Sequence, residues 1–401
     1  MLFALGAAPS PPAATPLHES RLIFPPQAKH NHGSCIVECP NGDLLAVWYR
    51  GSGERSADDV EIVGARLRKG SSQWSDVFPV ADTPGFPDCN PCMIVDRARK
   101  LWMFWPVILD NHWESALLKC RTSRNFTRSP GAPTWEWESV VLLKPGPEFA
   151  DEVNRHLDER WAPYRAAATS ALQAKLDAYL AERRKALGDK LKVRLGWMPR
   201  PHPFITRSGR LLVGLYSDGW DFSMMAYTDD DGATWKCSSP IVGPGNVQPS
   251  IVQRKDGTLV AYFRDNGPPP QRVMASESTD DGQTWSAPID TDRPDPGAGL
   301  EVIALRSGRW LLINNNTEDG RHRLSISISE DEGRTWPKVV PLEDDPPGAG
   351  AGSYSYPSIL QAKDGTIHIT YSYSPNQAHA ATEGQVESIK YVRINEAWLL
   401  R

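Results

Sequence analysis

Six times along the chain an apolar run, a tight polar turn and a second apolar run follow one another. The six units are "CIVECPNGDLLAVWY", "CMIVDRARKLWMFWP", "HPFITRSGRLLVGLY", "SIVQRKDGTLVAYFR", "EVIALRSGRWLLINN" and "SILQAKDGTIHITYS". Five of them carry Asn-Gly, Ser-Gly or Asp-Gly between the runs, the dipeptides of a two-residue hairpin; the second has Ala98-Arg99 there. The turns fall at 42, 99, 209, 257, 308 and 365. Spacings near fifty residues fit four-stranded blades, and six of them predict an all-β, six-bladed β-propeller. One gap, from 99 to 209, is twice as long. It contains "EVNRHLDERWAPYRAAATSALQAKLDAYLAERRKAL", with helical periodicity, and reads as a helical insertion at 146–192 between blades two and three. Such an insertion either caps the central cleft or hangs from the surface.

A second pattern recurs after the hairpins: "TDDDGATW" at 228–235, "STDDGQTW" at 278–285 and "SEDEGRTW" at 329–336. Recurrence argues for a building block over an active site. Each falls between the third and fourth strands of its blade. Asp and Ser/Thr there bond nearby backbone groups, Gly relieves the turn, and Trp packs between blades. The tryptophans of "LWMFWPVILDNHW" (Trp102, Trp105, Trp113) either stack on a bound ligand's ring or pack between blades, with packing preferred for Trp102.

Composition narrows the partners. With 44 basic and 49 acidic residues, dispersed, the net charge is −5, and no electrostatic footprint for nucleic acid or an anionic membrane exists. No apolar run is long enough to span a bilayer as a helix. The start, "MLFALGAAPSPPAATP", resembles the remains of a secretory signal, which sets residues 1–20 as a leader, 21–401 as the propeller, and a secreted or periplasmic location as the expectation over a cytoplasmic one. Cys89-Asn-Pro-Cys92 has no second Cys or His pair to complete a zinc signature; buried thiols or a disulfide are expected instead. No metal or organic cofactor is implied, and the oligomeric state is open.

The turns locate the chemistry. If they share one face, the start of each first strand and the end of each second strand share the other. Nine positions before the turn glycine the blades supply Gly33, Asn90, Arg200, Gln248, Gly299 and Tyr356. Seven before they supply Cys35, Cys92, His202, Ser250, Glu301 and Ser358, and seven after, Tyr49, Pro106, Tyr216, Arg264, Asn315 and Ser372. A mouth lined by Arg, His, Gln, Glu and Tyr is a polar binding site.

Asp-box repeats on a six-bladed propeller resemble the sialidase (neuraminidase) superfamily of BNR-repeat proteins, over about residues 20–400 apart from the insertion. The resemblance implies arginines that clamp a substrate carboxylate, since guanidinium forks match carboxylate geometry. It also implies a tyrosine nucleophile assisted by a glutamate, and an aspartate acid/base. "YSYPSILQAKDG" resembles the tyrosine segment and gives Tyr356. "LVAYFRDNG" gives Arg264, and "EDGRHRLSISISEDEG" gives Arg323 or, second, Arg321. His32 stands where the family's first arginine is expected, and Gln248 or Val247 where its glutamate is expected, with Glu301 as a substitute. The acid/base falls among Glu54, Asp58 and Asp59.

The resulting expectation is an exo-acting glycoside hydrolase for an acidic or hydroxyl-rich sugar. Tyr356, Glu301, Asp58 or Asp59, and His32 would carry the chemistry; Arg264, Arg323, Arg200, His202, Gln248, Asn90 and Tyr49 would bind the glycan. The alternatives are a lyase on uronate-containing chains, with His32 as base, and a non-catalytic glycan-binding propeller.

Overall fold

The computed structural model describes residues 15–375 and 386–401. Twenty-four strands among them form six four-stranded antiparallel sheets. In five blades the strands run outward from the axis in sequence order. The innermost strands are His30–Glu38, Cys92–Val95, Phe204–Ile205, Asn246–Gln253, Glu301–Ala304 and Ser353–Gln361. The sixth blade takes its outer strand, His18–Leu22, from the start of the described chain, pairing it antiparallel with Ser388–Ile394. This pairing closes the ring by joining two ends of the chain, and it places residues 18–20 inside the propeller. Of the expected leader, residues 1–14 lie outside the described residues.

The hairpin turns are alike in all six blades, though not of the expected type. In blade 1 the Cys39 amide donates to Asp43 O (2.7 Å) and the Gly42 amide to Cys39 O (2.9 Å). The same two bonds recur at Asp96/Lys100, Thr206/Arg210, Arg254/Thr258, Leu305/Arg309 and Ala362/Thr366. These are three-residue loops with one left-handed residue, at Gly42, Arg99, Gly209, Gly257, Gly308 and Gly365. A two-residue type I′ turn needs positive φ at both central positions, and only one is supplied here. Arg99, at φ 61°, adopts the conformation that glycine adopts elsewhere.

The repeated acidic motif is a staple. In blade 3, Asp230 accepts from the Thr234 amide (2.8 Å) and hydroxyl (2.6 Å), and Thr228 Oγ1 accepts from the Gly232 amide (3.0 Å). Asp280 and Asp331 repeat the pattern. The motif's tryptophan packs on the preceding blade, Trp235 edge-on to Phe104 and Trp336 edge-on to Tyr262.

The inner strands meet at the axis with unpaired edge amides, which must be satisfied. Side chains seven before the turn do this. Ser358 Oγ accepts from Ile36 N (3.2 Å), Cys35 Sγ from Met93 N (3.2 Å), Ser250 Oγ from Val302 N (3.0 Å) and Glu301 from Ile359 N (2.8 Å). Each bond runs from one blade to the next. An amide left orphaned here costs about 1–3 kcal/mol, so this layer is a stitch around the axis. All six cysteines are free thiols, five of them buried.

The insertion forms α1 (Phe149–Ala167), α2 (Ser170–Ala186) and α3 (Lys190–Arg194). Phe149, Val153, Leu157 and Trp161, four apart, make the buried stripe of α1, and Phe149 packs against Trp197, Trp220 and Phe222 of blade 3 and its approach. From α2, Arg183 (2.6 Å) and Tyr179 (2.9 Å) bind the Asp221 carboxylate in a blade-3 loop. The insertion is therefore fastened to the end of the propeller that carries the polar mouth.

Candidate active site

The mouth is shaped by backbone irregularities at one level of the fold. In blades 1, 4 and 6 the pairing of inner and second strands slips between His32 and Cys35, Val247 and Ser250, and Ser355 and Ser358. Gly33, Asn90, Gln248 and Tyr356, all nine before their turns, have φ of 64°, 42°, 56° and 53°. A bulge re-aims the side chain that it displaces. Left-handed non-glycine residues cost on the order of 1 kcal/mol or more each and cluster at functional sites. Together with Arg200 and Gly299 these residues form a ring at the axis. A Cβ on Gly299 would meet Gln248 Oε1 at 3.0 Å, Tyr356 Cδ1 at 3.2 Å and Arg200 Nε at 3.3 Å; a Cβ on Gly33 would meet Tyr49 Cε1 at 2.8 Å.

Tyr356 is the centre of this ring. Arg264 Nη1 donates to its Oη (3.0 Å), and the guanidiniums of Arg200 and Arg321 each lie 5.4 Å from its ring centroid. His32 meets the same ring edge-on, with centroids 4.3 Å apart. Burial would raise the phenol's pKa, but Arg264, Arg321 and the Gln248 amide together hold it below the ordinary tyrosine value. Tyr49 and Tyr216, buried beside it, are pushed well up, chiefly by desolvation and then by Glu54 and Asp218 respectively. Among the described residues neither Arg264 nor Arg321 has a carboxylate partner within ion-pair distance.

A cavity of about 180 Å³ opens beside Tyr356, lined by His32, Glu54, Arg321, Ser355 and Ser372 among others. Its histidines titrate apart. His30 lies between Glu54 (3.3 Å) and Glu387 (2.9 Å); desolvation opposes its charge, but the two carboxylates outweigh it and raise its pKa to about 9. Burial first, then charged His30, lowers His32 to about 3, so at neutral pH it is an uncharged imidazole. Glu54 accepts from Tyr49 Oη (2.9 Å) and, despite its burial, is held at about 2 by His30 and its other donors.

The expected site residues fall into two groups. Tyr356, Arg264, His32, Gln248, Asn90, Tyr49 and Arg200 come together at the mouth. Arg200 is a buried floor residue, its Nη2 donating to Leu300 O (2.6 Å) and Pro357 O (2.9 Å). Glu301 and His202 belong to the layer beneath. His202 N and Nδ1 both sit 2.7 Å from Glu301 Oε1, Nε2 sits 2.7 Å from Ile36 O, and the other Glu301 oxygen holds Ile359 N. Glu301 thus spends its oxygens on the interblade stitch. Arg323 pairs with Asp344 (2.6 Å) across the third and outer strands of blade 5, while Arg321, in the loop before it, stands beside Tyr356. The strand register decides this, because it sends Arg323 toward the blade's outer edge. Asp59 accepts from the Ser52 amide (2.9 Å) and hydroxyl (2.7 Å), and Asp58 from Asn111 (2.8 Å), both exposed on the blade-1 loop.

One carboxylate at the mouth escaped sequence reasoning. Asp218 follows the second strand of blade 3, two residues beyond Tyr216, whose hydroxyl accepts from Asn90 (3.2 Å) in the floor ring. Burial raises Asp218 to about 6, and Arg264 is the charge that most opposes this. Carrying the register of the second strands two residues past Tyr216 would have found it.

The fold and the three Asp-box staples define a six-bladed propeller of the BNR-repeat class. Residues 181–369 match the family model described as a BNR repeat-like domain. The sialidase of Micromonospora viridifaciens is 25% identical over 423 residues, covering 99% of this chain and 56% of that protein, so the chain spans about half the length of that curated relative. Among solved structures, a protein of unknown function from Dyadobacter fermentans superposes with a TM-score of 0.67 at 13% identity, over 96% of this chain and 99% of that one. The NanB sialidase of Streptococcus pneumoniae superposes with a TM-score of 0.67 at 14% identity, over 94% of this chain and 71% of that one. In its fold, in the residues that match the family model and in its relatives, the chain is similar to the BNR-repeat proteins of the sialidase superfamily.

Proposed function

We propose that this protein is an exo-acting glycoside hydrolase whose substrate carries an acidic terminal sugar. The observation that carries the reading is the pair of guanidiniums, Arg264 and Arg321, beside the Tyr356 hydroxyl and without carboxylate partners among the described residues. Two guanidiniums beside one hydroxyl attract an anionic substituent, and guanidinium forks suit a carboxylate. In this reading Tyr356 Oη, as the phenolate that the neighbouring positive charges favour, attacks the anomeric carbon as the bond to the leaving oxygen breaks, and protonated Asp218 gives that oxygen its proton. Water then releases the sugar, with the Asp218 carboxylate taking the proton from it. Gln248 stands where a carboxylate partner was expected; the phenol is primed by positive charge in its place. Glu54, Asp58 and Asp59 serve this reading as rim residues, since Glu54 is held ionised and the other two are engaged on the surface. The sialidase relatives support the substrate class.

A second reading rests on His32. An imidazole edge-on to the Tyr356 ring and uncharged at neutral pH is available to accept a proton alpha to a uronate carboxylate, with Arg264 neutralising the charge, although burial makes it a weaker base than an ordinary histidine. The test is a product assay on sialylated and uronate-containing glycans, with Tyr356→Phe as control. Released reducing sugar without ultraviolet absorbance supports hydrolysis; absorbance of an unsaturated product replaces it with elimination. Turnover unchanged in Tyr356→Phe removes both.

A further inference from the structure

On the face of the hairpin turns, the seams between blades share one arrangement, from which a single seam departs. In blades 1, 3, 4 and 5 the residue two after the turn glycine pairs with the last residue of the third strand. The pairs are Leu44 with Leu67, Leu211 with Thr228, Leu259 with Ser278 and Trp310 with Ser329. Two positions further on, blades 3, 4 and 5 carry the staple aspartates Asp230, Asp280 and Asp331. Three positions further on they carry Asp231, Asp281 and Glu332, all left-handed, with φ of 58°, 60° and 60°. This second acid faces the preceding blade. Asp231 pairs with Lys100, Asp281 accepts from Ser208 Oγ (2.6 Å) with Arg210 Nε 3.8 Å away, and Glu332 lies 3.5 Å from Lys255. Arg309 of blade 5 pairs likewise with Glu396 beyond the third strand of blade 6 (3.1 Å). Between blades 1 and 2, buried Arg66 donates to Phe126 O (2.7 Å) and Gly131 O (3.1 Å).

At the seam between blades 6 and 1 these acids are missing. The same register puts Lys69 where the staple aspartate stands and Gly70, at φ 79°, where the seam acid stands. Lys363, two before its turn glycine as Lys255 is, donates to Pro40 O instead (3.4 Å). A cavity of about 400 Å³ opens here. Arg21, Arg68, Lys69, Lys363 and Arg393 line it, against Glu19, Glu38 and Asp364. The acids are committed: Glu19 to Arg21 (2.8 Å) and Arg393 (3.9 Å), Glu38 to the Lys363 amide (2.9 Å) and Asp364 to the Thr366 amide (2.9 Å). Among the described residues Arg68, Lys69 and Lys363 have no ion-pair partner. Two buried polar side chains, His368 and Tyr391, also line the cavity, with Nδ1 and Oη 2.7 Å apart.

We infer that this cleft binds a tetrahedral oxyanion, a phosphate or sulfate group, in the place that an acidic side chain fills at four other seams. One carboxylate answers one base at each of those seams, whereas three bases without partners line this cleft, from both blades. A dianion with three or four acceptor oxygens can serve all three, and a guanidinium fork fits two of its oxygens. The volume, in the lower part of the roughly 300–1,000 Å³ of ligand pockets, holds such a group together with a small carrier such as one sugar ring. The cleft lies on the face opposite the mouth, so the inference stands independently of the hydrolase reading. Arg21 and Arg393 belong to the two strands whose pairing closes the ring. An anion held between their blade and blade 1 therefore ties the closure, and it stabilises the folded state by mass action.

The test is thermal melting of the full chain in inorganic phosphate against sodium chloride of equal ionic strength, for the unmodified protein, Lys69→Ala and Gly70→Asp. A Cβ added at Gly70 meets no heavy atom within 4 Å, and aspartate tolerates left-handed backbone, so the second variant restores the seam acid. The expected result for the unmodified protein is a rise in melting temperature of about 2 °C or more at about 10 mM phosphate. Lys69→Ala should lose at least half of that rise, and Gly70→Asp nearly all of it, because its carboxylate occupies the cleft. Phosphate also stabilises folds by exclusion from their surfaces, an effect that both variants keep. An equal rise in all three proteins, a rise matched by chloride, or no rise overturns the site. If Gly70→Asp does not fold, Lys69→Ala decides by itself, since its side chain is exposed. Glucose 6-phosphate, with glucose as control, separates the sources. A larger shift than that of phosphate at equal concentration assigns the site to a phosphorylated sugar, and an equal one assigns it to the free ion.

Discussion

Replacing Asp218 by Asn tests the proposed mechanism at its least conventional point. The substitution keeps the size of the side chain and removes a proton that burial holds to about pH 6. A positioned general acid contributes roughly 10²–10⁴-fold, so kcat/KM for a glycan with a sugar leaving group should fall by about that factor. An aryl leaving group needs little protonation, and its rate should fall by less than about tenfold, a small part of the same range. The pH profile gives an independent sign. The acid form is lost as pH rises through about 6, so under the proposed mechanism the activity of the unmodified protein should decline on that side and the variant should lack that limb. Stability should move the other way. An aspartate whose folded pKa is raised costs the fold nothing below its unfolded value of about 3.8 and costs it progressively until pH passes the folded value. Two units correspond to a ceiling of about 3 kcal/mol. Asp218 is half-buried at a solvated rim, so the gain from Asn at pH 7 should be about 1 kcal/mol. The assay is thermal melting between pH 3.5 and 8 beside initial rates on both substrates. Equal rate losses with the two leaving groups, or a variant less stable at pH 7 than the native protein, would refute the reasoning.

Arg264→Ala should raise KM for an acidic substrate and lower kcat/KM by roughly 10²-fold, the loss of a charge-assisted pair of about 2–3 kcal/mol, measured by steady-state kinetics; a neutral substrate analogue should feel it far less. Glu301→Gln should destabilise the fold by about 3–5 kcal/mol, because it leaves the His202 charge buried without its partner, and a denaturant melt reads this directly. Tyr356→Phe should leave the melting temperature close to native and abolish turnover on every substrate tested. Arg99→Gly should stabilise the protein by up to about 1 kcal/mol, since glycine takes φ 61° without a side-chain clash; a lower melting temperature would contradict the common turn geometry.

Much of this molecule is written in short-range pattern. The six alternating pairs, the turn dipeptides and the Asp boxes give blade number, blade order and the place of the insertion, because strand period, left-handed turns and local side-chain-to-backbone bonds depend on neighbours within about ten residues. The same pattern put Tyr356, Arg264, Asn90 and Gln248 at the mouth, and the resemblance to sialidases added His32. It failed where bonds between blades decide. Glu301 reads as a catalytic residue and His202 as a substrate-binding one in sequence, yet Glu301 holds an edge amide of the next blade and His202 is bonded to Glu301 and the Ile36 carbonyl, a demand that exists only when six strands converge. Arg321 and Arg323 differ by two positions, and the pairing of Arg323 with Asp344 sends one to the rim of the blade and leaves the other at the tyrosine. Asp218 carries no motif at all; its pKa is raised chiefly by burial, and Arg264, the charge that most opposes this, comes from another blade. Local sequence determined the blades and the level of the site. Only the closed ring, by deciding which polar groups at that level already have partners, determined which of them are left free for chemistry.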